Sequence, residues 1–123
     1  MKVLLSIKPE YANKIFSGEK KFEFRKRAFG NINVRTVVVY STMPVGQIIG
    51  EFSIKKIHQD SPKSIWSRTK KFSGIDKRFF NEYYHGRDLA VAIEVEEPVL
   101  YDNPINPKKE YENFTAPQSF MYL

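Results

Sequence analysis

No stretch constrains this chain more than Ser17-Gly18-Glu19-Lys20-Lys21-Phe22-Glu23-Phe24-Arg25-Lys26-Arg27, which joins a helix stop to a strand start with no spacer. Pro9 suits a first helical position, where a missing N–H is harmless. Tyr11, Ala12, Ile15 and Phe16 follow at i, i+1, i+4 and i+5, one apolar stripe over two turns. Gly18 suits the C′ position, because it takes a positive φ without steric cost. So short a helix is held by packing rather than propensity. From Lys20 to Arg27 aromatic and charged residues alternate as in a strand, with Phe22 and Phe24 on one face. Lys21, Glu23, Arg25 and Arg27 fall on the other, with Lys20 at the start. That face is either a solvated edge or a charged floor for an anionic or polar ligand.

The charge distribution fits a ligand floor and equally a soluble basic surface that binds nothing specific. The chain carries +6 overall, and residues 1–27 hold eight Lys/Arg against three Glu, a net of +5. Such a concentrated positive field is the expected footprint of RNA or DNA binding. With 123 residues, 41% hydrophobic and 15% aromatic, the chain is sized for one domain, residues 1–123, with a real core. There is no cysteine, which excludes disulfides and thiolate chemistry. His58 and His85 lack metal-ligand spacing and have no visible partner, so no metal and no cofactor are expected. The apolar run Val37–Tyr40 is far too short for a membrane span. A soluble, cytoplasmic protein with no membrane partner is the expectation.

The remaining elements follow from local signals. Val3–Ile7 reads as a first strand and Val34–Ser41 as a central, nearly continuous β-branched one. Gln47–Ile57 reads as a fourth strand, with Gly50 predicting a bulge or sharp bend. Asp60-Ser61-Pro62 starts a helix through about Lys71, and Asp76 caps another that ends near Gly86. Phe79, Phe80, Tyr83 and Tyr84 form an aromatic stripe along it, read with Trp66 as packing against the sheet. Leu89–Tyr101 is a strand whose pairing Pro98 ends or bends, residues 102–118 are irregular, and Ser119–Leu123 returns as a short strand. The predicted class is α+β. Its sheet is small and strongly curved, closing into a barrel with short helices at its mouth and no exposed edges.

Ser6-Ile7-Lys8-Pro9 leading into a helix, then Gly18-Glu19-Lys20-Lys21-Phe22-Glu23-Phe24-Arg25, resembles the Gly-x-Lys-x-x-Glu-x-Arg signature of ASCH domains, a PUA-like group. The resemblance extends through Val34–Thr42, Gly46–Ile57 and Pro117-Gln118-Ser119-Phe120. It implies a PUA-like pseudobarrel with a cleft beside the first helix, and an RNA-binding module in translation or transcription control. Some members are enzymes, hydrolysing the acetyl amide of N4-acetylcytidine or cleaving single-stranded RNA. The amidohydrolase lysine falls on Lys20, but the catalytic threonine falls on Glu23. A carboxylate is no simple replacement for a hydroxyl nucleophile.

The residues themselves suggest roles. Arg25 offers a planar fork for phosphate or base edges, Lys20 a point charge, and Glu23 an acceptor for an amine. Tyr40 and Ser41 end the central strand. Tyr40 is either a stacking platform or barrel core, and Ser41 a nucleophile or donor. Lys8, Lys14, Lys26 and Arg27 are placed to meet phosphates; Lys55-Lys56 and Lys70-Lys71 either extend a track or are simply solvated; Gln118 and Ser119, which resemble the family's C-terminal pattern, either reach back over the cleft or form a plain end strand. The leading expectation is a module that binds RNA or a modified nucleoside. The alternative is a hydrolase in which Lys20, Glu23 and Ser41 carry catalysis.

Overall fold

A computed structural model of the chain describes residues 1–111 and 113–123. The elements run β1 (Lys2–Ile7), α1 (Pro9–Ser17), β2 (Phe22–Arg25), β3 (Thr36–Ser41), β4 (Gln47–Asp60), α2 (Pro62–Thr69), a 3-10 turn (Lys70–Phe72), α3 (Lys77–Tyr83), β5 (Ala90–Ile105), α4 (Pro107–Glu110) and β6 (Phe120–Tyr122). The six strands form one sheet in the order β2-β5-β4-β3-β1-β6. Among the described residues only β1 and β3 pair in parallel; the other neighbours are antiparallel.

The helix signals act as chemistry dictates. Pro9 occupies the first turn of α1, and Gly18 ends it at φ 89°, its N–H donating to the Ile15 carbonyl. Ser61 and Asp76 accept from the Ser64 and Phe79 amides at 3.2 and 2.7 Å, capping α2 and α3. Gly50 lies at a register shift in β4, where an added Cβ would stand 2.4 Å from the Val99 carbonyl and 2.8 Å from the Phe16 ring. The bend there exists because two backbones and a ring converge on a residue without a side chain.

Three buried clusters hold the layers together. Val3, Leu5, Ile7, Ala12, Ile15, Val37, Val39, Phe52 and Ile93 fill the inside of the curl beneath α1. Leu4, Val38, Tyr40 and Ile48 cover the opposite face of β1 and β3, so both strands are buried on two sides and read as continuous apolar runs. Phe24, Ile65, Phe80, Tyr84, Ala90 and Ala92 seat α2 and α3 against β2 and β5.

Three expectations need correction, and one left open is resolved. The sheet does not close: β2 and β6 remain its edges, and the shape is a curled half-barrel. The second strand is shorter than Lys20–Arg27, because Lys20 still wraps the end of α1, its amide donating to the Lys14 carbonyl at 3.0 Å. Of the two outcomes expected at Pro98, the structure shows the bend. Glu97 takes φ 49° beside it, the register with β4 shifts, and pairing resumes to Ile105. Residues 107–110, expected to be irregular, form one helical turn capped by the Asn106 side chain. Among the described residues, no helix is long and apolar enough to cross a membrane, and no group of three metal-ligating side chains assembles.

Candidate functional site

A cleft of about 160 Å³ opens between the end of β1, α1, β2 and α3. Ser6, Ile7, Lys8, Tyr11, Lys20, Glu23, Phe24, Arg25, Ile75, Phe79 and Tyr83 line it. Strict alternation would put Lys20 and Glu23 on opposite sides of a strand running from Lys20. They share this cleft because the strand begins only at Phe22, while a backbone bond from Lys21 to the Phe72 carbonyl holds the preceding turn.

Lys20 is the most deeply buried charged side chain among the described residues. It is 1% exposed, and its ammonium donates to the Ser73 carbonyl at 2.6 Å. The same nitrogen lies 4.7 Å from the Phe24 ring centre and 5.5 Å from that of Tyr11, positions where aromatic faces attract a cation. Burial pulls its pKa down to about 8 despite the opposing pull of the Glu23 carboxylate. Gly74, at φ 68°, packs directly on its stem, where a Cβ would come within 2.6–2.8 Å of three Lys20 carbons. The next carbonyl along, that of Gly74, accepts from Lys14 at 3.3 Å. The Ser73-Gly74 turn thus seats two lysines on successive carbonyls.

Glu23, 8% exposed, and Arg25 form an ion pair at 3.2 Å, the most enclosed among the described residues. The same Arg25 nitrogen, Nη2, donates to the Ser6 carbonyl at 2.9 Å, while Nε is buried without a partner among the described residues. Tyr84 supports this end of β2 from below, its hydroxyl 2.8 Å from the Arg25 carbonyl and 3.1 Å from that of Val91. The cleft walls are aromatic. Tyr11 and Phe79 meet at 5.7 Å, and Phe79 and Tyr83 lie nearly parallel at 6.4 Å, one turn apart on α3.

Of the residues singled out from the sequence, Lys8, Lys20, Glu23 and Arg25 share this cleft. Tyr40 lines a different one, with Met43, Asn106, Lys108 and Phe114. Ser41 is 1% exposed and belongs to neither lining. Arg27, Gln118 and Ser119 are exposed and do not line the first cleft. His58, read as unpartnered, sits 2.8 Å from the Glu94 carboxylate. The aromatic stripe of α3 divides: Phe80 and Tyr84 are buried as expected, while Phe79 and Tyr83 face the cleft. Tyr11, Phe79, Tyr83 and the Ser73 carbonyl are therefore site groups the sequence reading passed over. The i, i+4 pair 79/83, offset by one from 80/84, was the available signal.

Comparison with known proteins bears on this geometry. A family model described as the ASCH domain matches residues 5–99. The large ribosomal subunit protein uL22 of Ureaplasma parvum serovar 3 is 33% identical over 122 residues, covering 98% of this chain. The chain spans only 39% of that relative's length. An ASCH domain-containing ribonuclease of Zymomonas mobilis is 30% identical over 122 residues, covering 98% of this chain and 82% of the relative. The crystal structure of ASCH from Zymomonas mobilis matches the fold with a TM-score of 0.88 at 29% identity, over 99% of this chain and 87% of the other.

Proposed function

The chain belongs to the ASCH domain family, and from that premise we propose that it binds single-stranded RNA, drawing one unpaired nucleotide into the cleft between α1, β2 and α3. The observation that carries this reading is the composition of the cleft. Aromatic walls from Tyr11, Phe79 and Tyr83 stand around a floor of Lys20, Glu23 and Arg25, in a space of about 160 Å³. That is well below the roughly 300–1,000 Å³ of pockets for drug-sized ligands. It matches one planar ring better than a folded nucleotide. Aromatic platforms with a few polar groups are how proteins hold splayed-out bases. Lys8, exposed at the mouth, with Lys26 and Arg27 on the loop after β2, would meet the backbone.

Binding of labelled single-stranded RNA at two salt concentrations tests this. Affinity should fall as salt rises, and Lys8→Ala should flatten the logarithmic slope by about 0.7, the share of one phosphate contact. Salt-independent binding, or none, would sink the reading.

A second reading is hydrolysis of RNA or of a modified nucleoside. It is favoured by the Zymomonas relative described as a ribonuclease, which the chain matches over most of its length. Lys20, with a pKa near 8, and Glu23 would act as the acid–base pair. Ser41, enclosed and outside the cleft lining, is a poor nucleophile for that site. Product formation from labelled RNA or N4-acetylcytidine by wild type, but not by Lys20→Ala, would move the assignment to an enzyme.

A further inference from the structure

We infer that the cleft admits the base of the nucleotide and excludes its phosphate, and that it favours the lactam edge of guanine and uracil, an N–H beside a carbonyl. This rests on the nucleotide-binding reading above and specifies what enters the cleft.

The two cations on the floor of the cleft are already engaged. Arg25 Nη2 is divided between the Ser6 carbonyl at 2.9 Å and Glu23 Oε2 at 3.2 Å, and its Nε is buried. Lys20 is 1% exposed, tied to the Ser73 carbonyl and set against two ring faces. Neither can wrap around a phosphate. Glu23 sets a carboxylate beside Arg25 on the floor, so a phosphate that reached the floor would meet like charge at close quarters. An entering cation fares no better against Lys8, Lys20 and Arg25. What remains is an uncharged flat ring.

The hydrogen-bonding groups then define its edge. Glu23 Oε2 is taken by Arg25, whereas Oε1 makes no hydrogen bond among the described residues and is not buried there as an unpartnered atom. It is an acceptor in search of an N–H. An ammonium carries three donors, and Lys20, which lines the cleft, uses one of them on Ser73. An acceptor and a donor in one lining therefore select an N–H next to a C=O. Guanine offers N1–H and O6, and uracil N3–H and O4. Adenine has no carbonyl, and the amine of cytosine adjoins a ring nitrogen. The phosphates stay outside, where Lys8 is exposed.

Calorimetric titration of the wild-type protein with guanosine, uridine, adenosine, cytidine and ribose 5-phosphate tests the inference. Anisotropy with short oligouridylate and an abasic oligomer of equal length runs in parallel. Guanosine and uridine should bind about tenfold more tightly than adenosine and cytidine, the discrimination one charge-assisted hydrogen bond supplies. Ribose 5-phosphate should not bind, and the abasic oligomer should bind at least about tenfold more weakly than oligouridylate. Glu23→Gln should erase the base preference; if it unfolds, the wild-type nucleoside series still decides. Equal binding of the abasic oligomer, equal binding of all four nucleosides, or oligouridylate binding without any nucleoside binding would each overturn the inference while leaving RNA binding intact. Failure of every oligomer to bind would instead remove the RNA reading itself.

Discussion

Arg25, on the β2 edge of the sheet, donates to the carbonyl of Ser6 on β1 at 2.9 Å, although three strands stand between β2 and β1 in the sheet order. The half-barrel is thus tied across its open side by a side chain instead of a strand ladder. Because the same nitrogen holds Glu23 at 3.2 Å, the tie and the floor of the cleft are one feature. The sequence suggests Arg25 as a ligand contact. Its first task in the fold is to hold the two sides of the opening together.

Arg25→Ala should therefore destabilise the domain. It removes hydrogen bonds from a charged donor and leaves Glu23, 8% exposed, as an unpaired buried carboxylate. A loss of about 3 kcal/mol is expected, the scale for breaking one partner of a buried pair. Glu23→Gln should cost much less, and the double variant less than the sum of the two. Urea denaturation of all three variants checks this; additive losses would show that the pair is uncoupled.

The divided stripe of α3 separates binding from stability. Phe80 is 1% exposed and packs on Phe24, Trp66 and Tyr84, so Phe80→Ala should cost about 3–5 kcal/mol of stability. Tyr83, three residues on, lines the cleft and is half-buried. Tyr83→Leu should weaken RNA binding by about 1–3 kcal/mol, the value of a stacked base, with the thermal transition nearly unchanged. A Tyr83 variant that binds RNA normally would remove α3 from the site.

Glycine substitutions distinguish two kinds of close approach. At Gly74, positive φ and contact with the Lys20 stem act together. Gly74→Ala should cost at least about 1–2 kcal/mol from the left-handed backbone alone, and should also move the Lys20 titration by shifting the stem. Gly50 has no positive φ, so Gly50→Ala should act only through the clash with the Val99 carbonyl and Phe16, about 1–3 kcal/mol. It should leave Lys20 alone. Denaturation curves and an NMR titration of the lysine Nζ groups read both effects.

Much of this molecule is legible in its sequence because the signals are local. Pro9, Gly18, Ser61 and Asp76 end or start helices through contacts within a turn, and each acts where the sequence places it. Gly50 marks its bend for a similarly local reason. The cleft is only partly legible. Lys20, Glu23 and Arg25 stand out as charges on a short strand, but periodicity cannot say that Phe79 faces a cavity while Phe80 faces a core. The acceptor that fixes Lys20 is a main-chain carbonyl at Ser73, 53 residues away, and carries no side-chain signal at all. Nor does the sequence decide between an end and a bend at Pro98, since the irregular turn at Glu97 that permits the bend depends on pairing with β4.

Lys20 makes the last prediction a matter of pH. Its folded pKa of about 8 lies below the unfolded value near 10.5, so between those values the unfolded chain binds more protons. Stability contributed by this residue therefore rises with pH across that window, and the full cost of burying the ammonium applies below pH 8. Relative to Lys20→Met, the wild type should gain about 2 kcal/mol on going from pH 7 to pH 9.5. Above about pH 10 the raised pKa values of Tyr84 and Tyr101, both caused mainly by burial, reverse the trend, because those groups keep protons in the fold that the unfolded chain releases. Lys20→Met, by removing a buried charge, should leave the domain folded at pH 7 while abolishing RNA binding. Parallel denaturation of the two proteins at pH 7 and 9.5 measures the difference directly. A gap that does not change with pH would mean that Lys20 titrates normally and that its ammonium is better solvated than its burial implies.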